Sequence, residues 1–194
     1  MGRWEPDAQG RFRAAALELF VERGYELTTV ADIAERAGLT RRTFFRHFAD
    51  KREVLFNGSE RLQQTMVTAL MSAPAEASAI EAVAAALNAT ADFFANNRDY
   101  ARQRSGVIIA NADLYERELI KMATLSAALA AALRSRGVAE PDASLVAEAG
   151  IAVFRVAFGQ WLGKAEQRSF GEIVNAALER LRTLTCWDAG AMTR

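Results

Sequence analysis

The sequence has little of the residues from which many catalytic and metal sites are built: one cysteine, one histidine and three prolines in 194 residues. A single cysteine, Cys186, excludes a disulfide or a cysteine-based zinc site within one chain. The single histidine, His47, has no cysteine or carboxylate cluster nearby and makes a poor metal site. Since no convergent set of acids, bases and nucleophiles is recognisable, we expect no enzyme, no metal and no cofactor.

Long apolar runs are also missing. None reaches about 18 residues, so no membrane-spanning helix is expected. Residues 1–7 contain no apolar signal-peptide core, and we therefore expect a cytoplasmic protein.

An excess charge of either sign is absent too, because 24 basic residues balance 24 acidic ones. A uniformly basic coat for nucleic acid is thereby excluded, but a local patch is not. Residues 36–52 hold six positive residues and one negative residue, a net charge of +5, so the rest of the chain sums to −5. This asymmetry predicts one anion-binding surface on an otherwise neutral body.

The chain is instead rich in Ala, Leu, Glu and Arg, and 51% of its residues are hydrophobic. These residues favour helices, and no stretch shows the sustained period-2 alternation of a strand. We therefore predict an all-α protein of about nine helices. The predicted helices run over about 7–23, 30–37, 40–47, 50–71, 79–96, 98–109, 112–136, 141–164 and 169–185.

Capping signals mark the ends of these helices. In a capping box a hydroxyl caps a free amide and an acid three residues later reaches back. Such boxes begin at Thr29, Ser78 and Ser169, and Asp50 is a similar cap. The predicted stops, where a left-handed residue is wanted, are Gly24, Gly38 and Gly137.

Residues 29–48 carry the strongest functional signal. Two short helical patterns flank Gly38, which permits a sharp reversal, and Thr40 caps the second helix. Phe44 and Phe48, four residues apart, point to the core side. The outward face of the second helix then consists of Arg41, Arg42, Phe45 and Arg46.

This arrangement is what insertion into the major groove of DNA requires. Arginine pairs bidentately with guanine, and threonine contacts a thymine methyl group. Free amides near Thr29, Thr40 and Lys51 suit phosphates. The alternative is a helix pair with a merely solvated surface, but the turn, the caps and the charge coincide, which favours DNA binding.

Four stretches, 15–25, 28–34, 45–48 and 50–53, closely resemble the N-terminal domain of TetR-type transcriptional regulators. The resemblance implies about nine helices, a homodimer on a palindromic operator, and an effector pocket in the C-terminal domain. It also implies repression that a small molecule relieves. We accordingly expect a helix-turn-helix domain over residues 1–52 and an effector-binding and dimerisation domain over 53–194.

The resemblance also implies which residues contact DNA. By position the contacts fall on Thr29, Thr40, Arg41, Arg42, Thr43, His47 and Lys51, and we add the outward Phe45 and Arg46 to this predicted set. Two positions depart from the family. Tyr, whose hydroxyl commonly meets a phosphate, is usual where Phe45 stands, and a small residue is frequent where Arg42 stands.

The remaining chain carries weaker signals. Aromatic residues gather in two regions and predict an apolar effector pocket, for which ordinary core is the alternative. The run 117–121 is weakly similar to a branch of the family that binds acyl-type ligands, and the last two helices carry apolar stripes suited to a subunit interface. The predicted ligand-binding residues are Phe93, Phe94, Tyr100, Arg104, Phe154, Phe158 and Trp161, and Arg102 lies beside them.

Two other functions stay open at this point. One is a regulator that senses a protein partner or nothing, and the other is a small helical enzyme. Nor does the sequence decide between repression and activation.

Overall fold

The computed structural model describes residues 7–95 and 97–185, and every regular element within them is an α-helix. Two of the segments, α4 and α7, are single turns, and the nine longer ones confirm the predicted all-α fold. In chain order the helices are α1 (Ala8–Arg23), α2 (Val30–Arg36), α3 (Arg41–His47), α4 (Glu53–Phe56), α5 (Ser59–Met71), α6 (Ala79–Asn88), α7 (Ala91–Phe94), α8 (Arg98–Ile109), α9 (Ala112–Ser135), α10 (Asp142–Trp161) and α11 (Phe170–Thr185).

The described residues form two compact units. The first contains residues 7–59 and 99–120, and the second contains 60–95, 97–98 and 121–185. The chain therefore leaves the first unit after α4 and returns to it within α8. The functional division at residue 52 stays a prediction, since compactness and function are separate criteria.

The core of the first unit joins α1 to the helix pair that follows it. Phe12 and Phe44 are fully buried, and their rings meet edge to face with centroids 5.2 Å apart. Phe48 is 6.1 Å from Phe12 in a similar T-shaped contact. Val107, Ile108 and Leu114 belong to the same buried cluster. Residues far along the chain thus complete the core beneath α2 and α3.

Replacing Leu114 by alanine is expected to lower the free energy of unfolding by about 2–5 kcal/mol, because the side chain is fully buried in this core. Leu119 lies on the same helix but is 40% exposed, so Leu119→Ala should change stability by no more than about 0.5 kcal/mol. Urea denaturation followed by circular dichroism measures both values. Equal losses in the two variants would contradict the placement of Leu114.

The three predicted capping boxes are confirmed. The Thr29 hydroxyl accepts from the Asp32 amide at 3.2 Å while the Asp32 carboxylate accepts from the Thr29 amide at 2.8 Å. Ser78 and Ser169 form the same reciprocal pairs with the acids that follow them. The Asp50 carboxylate accepts from two amides at the start of α4. The predicted stops Gly24, Gly38 and Gly137 all have positive φ.

Two predicted helices are broken in the structure. The helix predicted over 50–71 begins at Glu53 and is interrupted at Asn57–Gly58, where Gly58 has a φ of 104°. An Asn-Gly pair is a turn signal. Because the apolar periodicity continues on both sides of it, the sequence predicted one continuous helix. The helix predicted over 79–96 ends at Asn88, and the buried Thr90 hydroxyl donates to the Leu87 carbonyl at 2.7 Å. This local bond competes with helix continuation.

The second unit is built around α10, which packs against α6 and α11. Its centre allows a close helix approach, because a Cβ on the buried Gly150 would lie 2.5 Å from Val83 Cγ1. Leu129, Leu133 and Ile173 are fully buried in this unit. The small residue at position 150 therefore decides how near α6 and α10 come to each other.

Candidate nucleic-acid interface

The turn between α2 and α3 has a defined geometry. Gly38 has a φ of 64° and donates its amide to the Glu35 carbonyl at 2.9 Å. The Leu39 amide donates to the Ala34 carbonyl, also at 2.9 Å. These two bonds make a Schellman motif, which closes a helix at a left-handed residue. Leu39 packs against the buried cluster, so the turn is anchored to the core.

Thr40 starts the second helix of the pair, as predicted. Its hydroxyl accepts from the Thr43 amide at 3.1 Å and lies 2.9 Å from the Thr43 hydroxyl. Both threonines therefore stay exposed or half-exposed at the first turn of α3, next to Arg41 and Arg42. At the start of α2, hydrogen bonds from Thr29 hold the pKa of the Asp32 carboxyl below its ordinary value.

Helix α3 has a sharp division between its two faces. Phe44 and Phe48, on the inner side, are 0% and 4% exposed. Arg41, Arg42 and Arg46 are exposed on the other side. Arg41 and Arg42 form no ion pair with any residue in the described ranges. Two unpaired guanidinium groups thus project from the first turn of a capped helix.

The surface that carries unpaired positive charge is smaller than the sequence suggested. Arg36 forms ion pairs with Glu22 at 2.9 Å and Glu18 at 3.2 Å, both on α1. A hydrogen bond from Arg36 lowers the pKa of the Glu22 carboxyl. Arg52 is paired with Asp50 at 2.8 Å. The count of +5 over residues 36–52 therefore overstates the cationic surface, which centres on α3.

Lys51 is held beside the loop that precedes α2. Its ammonium donates to the Tyr25 carbonyl at 2.8 Å and lies 4.0 Å from the centroid of the Tyr25 ring. Burial raises the pKa of the Tyr25 hydroxyl to about 12. An ammonium has three N–H donors, so the bond to the carbonyl leaves Lys51 with donors suited to a phosphate.

Two further predicted contact residues occupy different environments. Phe45 is 52% exposed, and its ring meets the Phe44 ring edge-on at 5.6 Å. His47 is half-buried, with its ring 6.5 Å from that of Phe12 and its Nε2 3.5 Å from the Arg46 guanidinium. Phe45 thus presents an apolar surface among the cations, while His47 is partly packed into the core.

Sequence reasoning missed one residue of this region. Arg11, on the first turn of α1, donates from its guanidinium to the Ala37 carbonyl at the end of α2. A lone arginine among several basic residues of α1 carries no signal for a contact with a segment 26 residues away. Only the fold brings the two together.

Four of the predicted ligand-binding residues form one aromatic cluster in the second unit. The Phe94 ring lies 5.4 Å from Phe158 and 5.6 Å from Trp161, and Phe154 stacks on Phe158 at 6.0 Å. Phe170, which the sequence reasoning did not include, lies 4.8 Å from Phe94. All but Phe158 are at least nine-tenths buried, so the cluster is filled by its own rings.

The other predicted ligand residues do not join this cluster as a set. The Phe93 ring touches that of Phe94 at 5.1 Å and is half-buried. Tyr100 and Arg104 belong to the first unit. There Tyr100 accepts a hydrogen bond from Arg13 at 3.4 Å. Arg104 donates to the Leu55 carbonyl at 2.7 Å and pairs with Glu118 at 2.9 Å, so its guanidinium already has protein partners. Arg102 is similarly paired with Asp99.

One face of α5 in the second unit is an open, shallow surface rather than an enclosed cavity. None of the predicted ligand residues lines it. Its lining residues are Arg61, Gln64, Thr65, Thr68 and Ala69.

Two further findings concern the described ranges as a whole. None of their helices combines the length and apolarity needed to cross a membrane. They also contain no group of three or more histidine, cysteine or carboxylate side chains placed to hold a metal ion.

Comparison with known proteins gives concordant results for both parts of the chain. The family model described as "Bacterial regulatory proteins, tetR family" matches residues 12–57. The model described as "MftR C-terminal domain" matches residues 77–185, which is more than half of the chain. Together the two matches include α3 and the whole of α10 and α11.

Similar individual proteins agree with this. The transcriptional regulator TcmR of Streptomyces glaucescens is 43% identical over 74 residues, which are 38% of this chain and 33% of that protein. The match thus spans about a third of the relative's length. A TetR-family regulator from Syntrophomonas wolfei superposes with a TM-score of 0.66 at 20% identity, covering 91% of this chain and 93% of the other.

A second similar structure has been solved with a bound molecule. It is the regulator FadR from Bacillus subtilis in complex with stearoyl-CoA, with a TM-score of 0.58 at 21% identity and coverage of 89% and 96%. At this identity the likeness concerns the fold. With the helix-turn-helix geometry and the two family matches, the conclusion is that the chain is a DNA-binding transcriptional regulator and belongs to the TetR family.

Proposed function

We propose that this regulator is a homodimeric repressor that binds a palindromic operator through α3 and releases it when a small apolar or amphipathic effector binds. The observation that carries the DNA-binding part is the exposed, unpaired pair Arg41 and Arg42 on a helix whose opposite face is locked into the core by Phe44. The proposal assigns the protein to the cytoplasm and gives it no catalytic activity.

The contacts to DNA are proposed as follows. Arg41 and Arg42 reach base edges, because the N-terminal residues of a recognition helix lie deepest in the major groove. Thr43 adds a contact from the same turn. Phosphate contacts, which set the position of the helix on the duplex, come from Thr29, Thr40, Arg46, His47 and Lys51.

The dimer is proposed to form through α10 and α11. Leu145 and Val156 on α10 are each 64% exposed, and Leu184 on α11 is 68% exposed. Ala152 is exposed between the first two, at spacings that place all three α10 residues on one helical face. Large apolar side chains along one face suit an isologous interface with a second copy. A two-fold dimer then places two recognition helices about 34–36 Å apart, or a multiple of that distance.

The effector is proposed to bind in the second unit. The open face of α5 offers hydroxyl, amide and methyl groups, which suit the polar end of an amphipathic molecule. The bound stearoyl-CoA of the B. subtilis neighbour supports acyl compounds as the first class to test. Such a ligand lowers DNA affinity by no more than the ratio of its affinities for the two states of the protein.

A regulator without a small-molecule effector is the second candidate. The specific observation in its favour is the aromatic cluster, in which the rings pack against one another and all but Phe158 are buried; its members are Phe94, Phe154, Phe158, Trp161 and Phe170. Under this alternative the predicted pocket residues serve only as core.

One experiment tests both candidates in sequence. DNA that binds the full-length protein is selected from a random pool, and the enriched site is then titrated with fatty acids and acyl-CoA molecules of graded length. Enrichment of a palindrome and release by one of the ligands is the expected result. No enriched sequence would overturn the DNA-binding proposal, while enrichment without release by any ligand would favour the second candidate.

Phe45→Tyr is expected to raise affinity for DNA about fivefold. The added hydroxyl would extend from an exposed ring among the cations and donate to a phosphate, a contact of about 1 kcal/mol. Because phosphate contacts carry no sequence information, the gain should be equal for operator and unrelated DNA. Fluorescence anisotropy with both duplexes measures it, and Phe44→Tyr, which places the hydroxyl in the core, is the contrasting variant. A gain confined to the operator would contradict this assignment.

A further inference from the structure

Among the residues that the structure describes, Arg11 is the one side chain outside α2 and α3 that donates hydrogen bonds to the backbone of the turn between them. Its Nη2 atom donates to the Ala37 carbonyl and lies 3.5 Å from the Gly38 carbonyl. The residue sits on the first turn of α1 and is half-buried.

The carbonyls that Arg11 contacts are not those that accept the two hydrogen bonds of the turn. Within the Schellman motif, the Ala34 and Glu35 carbonyls accept from the amides of Leu39 and Gly38. The Ala37 carbonyl comes after these bonds, at the end of the helix, where backbone acceptors lack partners within the helix. A guanidinium also suits the negative end of the α2 dipole.

Gly38 makes room for this contact. A Cβ at this position would lie 2.8 Å from Arg11 Nη2, so another residue here would require the flexible end of the arginine to shift. The glycine therefore meets two requirements, the left-handed φ of 64° and space for the arginine. The Arg11 contact is thus a polar link between α1 and the end of α2 that adds to the Arg36 ion pairs with Glu18 and Glu22.

Attachment at this point controls the direction of α3. The turn has only Leu39 between Gly38 and the cap residue Thr40, so a shift of the turn is passed directly to the helix that carries Arg41 and Arg42. Recognition requires placement of the reading side chains within about 0.5 Å. The core contacts of Phe44 hold the inner face of α3, and the Arg11 contact holds its starting point.

We infer that Arg11 is a positioning residue for sequence-specific DNA reading, acting through the Ala37 and Gly38 carbonyls without contacting DNA. This inference rests on the proposed reading role of α3. On this inference, Arg11 supports discrimination between the operator and other DNA, and not general affinity for DNA.

The test uses the full-length variants Arg11→Gln and Arg11→Lys, with Arg23→Gln as the matched control. Arg23 lies on the same helix and is exposed, so its replacement removes the same charge without touching the turn. Affinity is measured for the selected operator and for scrambled DNA at several salt concentrations, together with the melting temperature. Arg11→Lys retains one cationic donor and stays informative should the glutamine variant fail to fold.

For Arg11→Gln we expect the ratio of operator to scrambled affinity to fall about tenfold, equivalent to one well-made hydrogen bond to a charged group. Affinity for scrambled DNA and the slope of log affinity against log salt should stay as in the wild type. Arg11→Lys should recover part of the ratio, and Arg23→Gln should leave it unchanged.

Three results would overturn the inference. A salt slope reduced by about 1, with equal loss on both duplexes, would make Arg11 a phosphate contact. A lower melting temperature with an unchanged ratio would make it a purely structural residue. A wild-type protein that shows no operator preference would remove the proposed function as well, and that result is visible before any variant is made.

Discussion

Replacing Arg41 and Arg42 together by alanine is expected to abolish operator binding while the protein stays folded and dimeric. Each arginine that pairs with a base contributes about 1–3 kcal/mol, so either single change costs about 5- to 150-fold in affinity and the double change more. Folding should be unaffected because both side chains are exposed and make no ion pair within the described residues. Anisotropy titrations at physiological salt and sedimentation velocity measure the two properties.

A charge-matched control separates base contacts from general electrostatics. Replacing Arg23 and Arg134 by alanine removes the same net charge from two exposed positions on α1 and α9. Arg134 is paired with Glu140 at the surface, where such pairs contribute little to stability. The control should bind the operator nearly as well as the wild type. Retained binding in the Arg41 and Arg42 variant, or equal losses in both proteins, would refute the role given to α3.

Phe94→Ala is expected to lower the free energy of unfolding by about 3–5 kcal/mol, the largest stability effect among the changes considered. The Phe94 side chain contacts four other rings of the aromatic cluster, with centroid distances from 4.8 to 6.1 Å. Its removal leaves a cavity that these rings cannot fill without moving. Urea denaturation followed by circular dichroism gives the value.

The neighbouring Phe93 is the matched control for this change. It belongs to the same short helix but is half-buried and touches one ring of the cluster. Phe93→Ala should therefore cost clearly less than Phe94→Ala. If Phe94→Ala instead cost under about 1 kcal/mol, the cluster would be loosely packed, and its role as an effector pocket would gain support.

The position and faces of α3 could be predicted closely because their signals are local. The Thr40 cap, the left-handed Gly38 and the spacing of Phe44 and Phe48 each act within a few residues, and the structure places all of them as expected. Local hydrogen bonds and helical periodicity are encoded in short stretches of sequence. The same locality explains why the three predicted capping boxes were found.

Other features depend on contacts between distant residues and could not be predicted. Arg36 adds to a count of positive charge, yet its partners Glu18 and Glu22 come from another helix. Aromatic spacing on α10 predicted a common face for Phe154 and Trp161, but not whether rings from α7 and α11 would fill the space before it. Periodicity reports which face is apolar, and it cannot distinguish a cavity lining from a packed core.

The return of the chain to the first unit has a consequence for engineering new regulators. Val107, Ile108 and Leu114 complete the core under the recognition helix although they lie some 50 residues beyond the end of the first contiguous segment. A chimera that takes only residues 1–59 from this protein would lack these three core residues. If α3 reads DNA as proposed, a change of sequence preference calls for exchanging only its outward residues while residues 7–59 and 99–120 are kept together.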